Sequence, residues 1–146
     1  MKNQYRMLTT IFLALGCLAL LTKAHAVVPA PDGGYPNFTT AEGQNALKNL
    51  TTGSANTAVG WFSLESVATG SFNTGLGAGT LVLNTGDDNT ATGVAALLLN
   101  TTGIDNTANG TAALVNNSTG DDNTAVGAFA LNNNTASFNT ANGAFA

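Results

Sequence analysis

From Thr39 to the last residue, one short motif returns seven times, and a chain written this way folds as a stack of one small unit. The motif is Asn-Thr-Ala-x-Gly, and its copies begin at Thr39, Asn56, Asn73, Asn89, Asn106, Asn123 and Asn139, a period of 16 or 17 residues. Four residues after each repeated glycine stands a leucine: Leu47, Leu64, Leu81, Leu97, Leu114 and Leu131. A second glycine closes each copy at Gly53, Gly70, Gly86, Gly103 and Gly120, and Ala136 alone breaks that series.

A unit this short, and this rich in Asn, Gly and Thr, is too small for a helical hairpin repeat, whose copies need roughly 33 residues or more. A coil of short strands and turns fits it. Side chains alternate along a strand, so counting each copy from its Asn or Thr predicts positions 3, 5, 7 and 9 on one apolar side. In the copy at Asn123 these are Ala125, Gly127, Phe129 and Leu131. Position 4 varies freely (Glu42, Val59, Leu76, Thr92, Asn109, Val126, Asn142), as a residue facing water does. Position 8 is always small (Ala46, Ser63, Thr80, Ala96, Ala113, Ala130), and strict alternation turns it away from the leucines, where a closely approaching second chain would require a small residue. Asn-Thr-Thr-Gly at 100–103 and Asn-Ser-Thr-Gly at 117–120 supply the turns. The expected fold class is all-β: a β-solenoid or β-roll of 16–17-residue coils, with leucines in a column and asparagines in a ladder. One buried leucine contributes about 1.5–3 kcal/mol, less than the roughly 1–2 kcal/mol per residue that ordering a coil costs. Stacking of neighbours is therefore needed, and completion as a homotrimer is expected ahead of a lone-chain solenoid.

The ends and the charges narrow the setting. Residues 1–26 read as a signal peptide: Lys2 and Arg6, an apolar run over 7–21, then Ala24-His25-Ala26 in the small-x-small pattern of a cleavage site. The run is shorter than the roughly 20 residues of a membrane span. Cys17, after Leu13-Ala14-Leu15-Gly16, offers lipidation as an alternative, although Ala14 and Leu15 stand in the reverse of the usual order. Residues 27–38 form a Pro- and Gly-rich lead-in, and 39–146 form the seven-copy array with the last copy partial. Cleavage after Ala26 removes the one cysteine and the one histidine, leaving Lys48 against eight carboxylates. Such a chain repels phosphate backbones, so no nucleic-acid partner is expected.

The copies resemble the head repeats of trimeric autotransporter adhesins, where an Asn-Ser-x-Ala-x-Gly strand alternates with an Ala-Thr-Gly turn in a β-roll. The matching residues are Asn56-Thr57-Ala58-Val59-Gly60 with Ala68-Thr69-Gly70, and Asn123-Thr124-Ala125-Val126-Gly127 after Ser118-Thr119-Gly120. They are still more similar to the Asn-Thr-Ala-x-Gly-x-x-Ala-Leu repeats of bacterial surface and phage fibre-like proteins, seen at 106–114 and 123–131. The resemblance implies a secreted or cell-surface structural or adhesive protein that self-associates. Its copies are longer than those of the adhesin heads, and membrane anchoring is not carried over. A fragment of a larger trimeric adhesin or fibre protein is the alternative.

Catalysis finds little to work with, because nucleophilic chemistry needs an oriented base and the array holds neither histidine nor cysteine. The expectation is no enzyme and no organic cofactor. Asp87 with Asp88, and Asp121 with Asp122, each precede an Asn at a copy boundary and supply hard oxygen atoms of the kind calcium takes. The other reading is a solvated acidic turn. Trp61, at position 6 on the outward side, is the best single contact residue for a surface glycan or a matrix protein.

Overall fold

The computed structural model describes residues 36–146. The segment read as a signal peptide, with Cys17 and Ala24-His25-Ala26, and residues 27–35 of the lead-in lie outside them. After a short 3-10 turn at Pro36–Phe38, each copy contributes one three-residue strand: β1 Thr40–Glu42, β2 Thr57–Val59, β3 Thr74–Leu76, β4 Thr90–Thr92, β5 Thr107–Asn109, β6 Thr124–Val126 and β7 Thr140–Asn142. The strands pair in chain order, all parallel, with Thr on Thr and position 3 on position 3 throughout. This is a parallel β-solenoid, one coil to a copy.

The strands are short because position 5 is glycine in a backbone region closed to other residues. Gly77 has φ 135°, and a Cβ there would stand 2.6 Å from the carbonyl oxygen of Gly93 in the next coil. The chain then turns, and the amide of position 8 donates back to the carbonyl of position 5, as in Ser63 to Gly60 at 3.3 Å and Ala113 to Gly110 at 3.3 Å. Positions 7 and 9 both adopt positive φ: Ala112 at 53° and Leu114 at 51°, Phe62 at 56° and Leu64 at 53°. So does the residue before each Asn, as at Phe72, Asp88, Asp105 and Asp122. These left-handed residues interrupt the alternation of a strand.

That interruption corrects the expected inside and outside beyond position 5. Positions 3 and 9 face inward as expected, with Ala58, Ala91, Ala108, Leu64, Leu97 and Leu114 fully buried. Position 8, expected to face out, is equally buried at Ser63, Thr80, Ala96, Ala113 and Ala130. Position 7 instead turns toward the surface: Phe129 and Phe145 are exposed, and in the described coils only Ala112 is buried there. Two left-handed residues flanking position 8 turn positions 8 and 9 to the same side. The small residues at position 8 are small because each sits inside its own coil, opposite Ala and beside Leu, so they carry no sign of a neighbouring chain.

The interior is one leucine wide and is shared with amides. Position 12 holds Leu50 and Val67 in the first two coils, then Asn84, Asn100, Asn117 and Asn134. Each of these asparagines donates through Nδ2 to the carbonyl that closes its own copy, as Asn100 does to Gly103 at 2.8 Å. The second Nδ2 hydrogen of Asn100, Asn117 and Asn134 goes to the Oδ1 of the amide one coil earlier, at 2.6, 3.0 and 3.3 Å. The position-1 asparagines form a parallel ladder in which each backbone amide donates to the preceding Oδ1, from Asn73 on Asn56 at 2.9 Å to Asn139 on Asn123 at 2.9 Å. Among the described residues no buried side-chain polar atom lacks a partner, the condition under which buried amides cost little.

The position-12 amides also absorb the change from 17 to 16 residues. In the shorter copy Asn84 reaches Gly86, two residues on, at 2.8 Å; in the longer ones Asn100 and Asn117 reach a glycine three residues on at the same distance. The missing residue comes out of the outer turn, and the stacked cross-section is unchanged. Ala136 breaks the second glycine series, and its carbonyl oxygen is one that a Cβ on Gly120 would meet.

Candidate binding surfaces

Because the inside is filled by Ala, Leu and Asn, any site must be assembled on the outside from residues of successive coils. Three outer regions carry chemistry: an aromatic edge at positions 6 and 7, an acidic corner just before each Asn, and the outward face of the strands.

On the aromatic edge Trp61 is 57% exposed, in line with the outward placement read from its parity. Its ring meets Phe62 edge to face, with centroids 4.3 Å apart. Four and five coils further on, Phe129 and Phe145 stack with centroids 5.2 Å apart and planes within 6°. Between them the position-7 column holds Gly79, Ala95 and Ala112, so the edge carries two aromatic groups separated by small residues. Exposed Leu83 and Leu99 lie side by side on a different edge, at position 11 of neighbouring coils. Lys48 and Glu65, also in neighbouring coils, form a 3.8 Å ion pair whose lysine is largely solvated, and it contributes little to stability.

The acidic corner does not gather the four carboxylates named from the sequence. Asp87 and Asp121 are two coils apart with Ile104 between them. Each spends an oxygen on the backbone of the preceding coil, Asp87 accepting from Ser71 N at 2.8 Å and Asp121 from Ile104 N at 2.9 Å. Ser71 and Ser137 do the same work in other copies, accepting from Ser54 N at 3.1 Å and Asp121 N at 2.9 Å. Asp88, Asp105 and Asp122 form a separate exposed column in three successive coils, all at positive φ. Among the described residues no group of three or more His, Cys, Asp and Glu side chains converges as a metal site would. The corner has a structural use that adjacency in sequence did not reveal.

The strand face carries Thr at position 2 of all seven strands and a varied residue at position 4. Its threonines were not singled out by sequence reasoning, although their invariance from copy to copy was the available signal. No family model, no curated protein and no solved structure matches this chain. The agreement with the adhesin-like repeats is thus one of architecture, a β-solenoid of about 17 residues per coil.

Proposed function

We propose that the chain is an exported structural or adhesive repeat protein of the cell surface, working without catalysis and related in role to the trimeric adhesin heads its repeats resemble. The observation that carries this is where the invariant residues go. The repeated Asn, Ala, Gly and Leu are used in stacking one coil on the next, which leaves ligand contact to the outside. Secretion rests on the segment 1–26. A carboxy-terminally tagged full-length protein should be recovered outside the cytosol with Val27 as its first residue; uncleaved protein confined to the cytosol would overturn the proposal.

A second reading, a module that binds a glycan or a matrix protein, is favoured by the exposed Trp61 with Phe62 packed against its edge, since aromatic surfaces of this size anchor interfaces. Trp61→Ala should abolish binding on a glycan or matrix-protein array while leaving the fold intact. An array without any ligand would favour the scaffold. Association of three chains belongs to the same proposal, and its support is the outer apolar residues such as Leu83 and Leu99, not position 8. Light scattering that gives a monomer mass at micromolar concentration removes the trimer alone.

A further inference from the structure

Position 2 is threonine in every copy: Thr40, Thr57, Thr74, Thr90, Thr107, Thr124 and Thr140, paired one on the next along the sheet. Every other residue repeated this strictly has a reason inside the coil. Asn at position 1 builds the ladder, Gly at position 5 admits the neighbouring backbone, and Leu at position 9 fills the interior. The threonines point outward and are exposed or half-buried. None of their hydroxyls has a hydrogen-bond partner among the described residues, whereas the hydroxyls of Thr51, Thr85, Thr101 and Ser63 each donate to a carbonyl of another coil. Strand propensity calls for a β-branched residue, but Val or Ile would meet it. Position 4, on the same face of the same strands, accepts Glu, Val, Leu, Thr and Asn. Threonine at position 2 exceeds what the fold requires.

The row it forms is unusual as a surface. Seven hydroxyls with seven γ-methyls stand in single file about 4.8 Å apart, on strands that hold them to that spacing over roughly 29 Å. Branching at Cβ restricts each χ1, so few orientations of each hydroxyl are open. Across positions 2 and 4 of all strands the only charge is Glu42, which makes the face unsuited to an ion or a charged ligand. A rigid, neutral, periodic row gains most from a partner that is itself rigid, neutral and periodic, because neither side then loses freedom on contact and weak bonds add up. The coil spacing is close to the distance between equivalent oxygens along a row of hexagonal ice. We infer that the threonine column is an ice-binding row, whose hydroxyls hold a line of water molecules that continues into the crystal.

The probe is ice itself, and the inference stands apart from export, since purified protein is used. When a solution of the protein is frozen slowly onto a cold finger, the protein should enter the ice fraction, and it should open a gap between the melting and growth temperatures of a seed crystal. Replacing Thr90, Thr107 and Thr124 together by Lys should abolish both effects. The same change at the exposed turn residues Thr102, Thr119 and Thr135 should leave them intact. Circular dichroism confirms the fold of each variant, and if the first triple variant does not fold, Thr107→Val removes one hydroxyl while keeping shape and branching, and should narrow the gap. Exclusion of the wild-type protein from ice with no gap overturns the inference whatever the variants do. So does undiminished activity in a folded position-2 variant.

Discussion

A leucine with φ near +50° is an uncommon residue, and here it recurs in six consecutive coils. An L-residue in the left-handed region costs roughly 1–2 kcal/mol, comparable to the about 1.5–3 kcal/mol that burying the same leucine contributes. The conformation persists because it settles two accounts at once. It aims the side chain at the interior and sets the amide on the next coil, as Leu97 N does on Ala113 O at 3.0 Å. A similar fit between neighbours explains the one copy that lacks alanine at position 3. A Cβ on Gly75 would lie 2.5 Å from Ser63 Oγ and 2.7 Å from Thr80 Oγ1, the two bulkiest residues of the position-8 column, which are hydrogen-bonded to each other at 2.8 Å. Gly75→Ala should therefore destabilise the protein by about 1–3 kcal/mol. In the double variant with Thr80→Ala most of that loss should be recovered, as in the coils that pair Ala91 with Ala96 or Ala108 with Ala113. Urea denaturation of the single and double variants measures the coupling, and simple additivity would mean that the two side chains do not compete for the same space.

The coil is the element, and its two amide ladders are as much its interior as the leucines are. Asn100 donates to Asn84 Oδ1 and Gly103 O and accepts from Asn117. Asn100→Ala therefore leaves several buried groups unpaired and should cost at least about 1–3 kcal/mol. Asn116, whose exposed amide bonds only to Asn133, should cost less than about 0.5 kcal/mol on the same change. Equal losses would show that the buried ladder carries no special weight. The sequence made the repeat, the leucine column and the position-1 ladder legible, because each rests on a residue type at a fixed spacing. The position-12 ladder was legible in the same way, since an Asn stands three residues after Leu81, Leu97, Leu114 and Leu131, but two apolar residues head that column and hid it. The placement of position 8 was not legible, because Ala, Phe and Leu at positions 7 and 9 give no signal of positive φ, and strict alternation was carried past the point where it ends. Of the candidate site residues, Trp61 was placed correctly on the outside, whereas the acidic pairs were read from adjacency that the coil does not turn into convergence. A test of the revised placement compares three substitutions in one coil. Leu114→Asp puts an unpaired charge in the interior and Ala113→Trp overfills it, so both should prevent folding of a single chain. Asn109→Asp, at an exposed position that holds Glu42 in another copy, should melt within a few degrees of wild type. A folded Ala113→Trp monomer that had merely lost self-association would restore position 8 to the outside.

At the scale of the whole molecule, each coil touches only the coils before and after it, so stability is a sum of coil terms and interface terms instead of the property of one central core. The columns that make up an interface recur with two exceptions, Thr39 at position 1 and Gly75 at position 3: Asn at position 1, Ala at 3, Gly at 5, Leu at 9 and, from the third coil on, Asn at 12. Removing one whole copy should then leave a continuous stack. Deleting 106–122 joins Asp105 to Asn123 and sets Ala125 on Ala91, Gly127 on Gly93, Leu131 on Leu97 and Asn134 on Asn100, each pair of a kind already stacked in the intact protein. This shortened chain should keep the β-rich circular dichroism spectrum and unfold cooperatively, with a lower melting temperature because one coil and one interface are gone. Deleting 106–113 instead joins Asp105 to Leu114, which removes a strand, shifts every later column by half a copy and brings leucine to the place of asparagine. That protein should fail to fold although it has lost fewer residues. If the half-copy deletion were as stable as the whole-copy one, the stacking register would not be what holds the rod together.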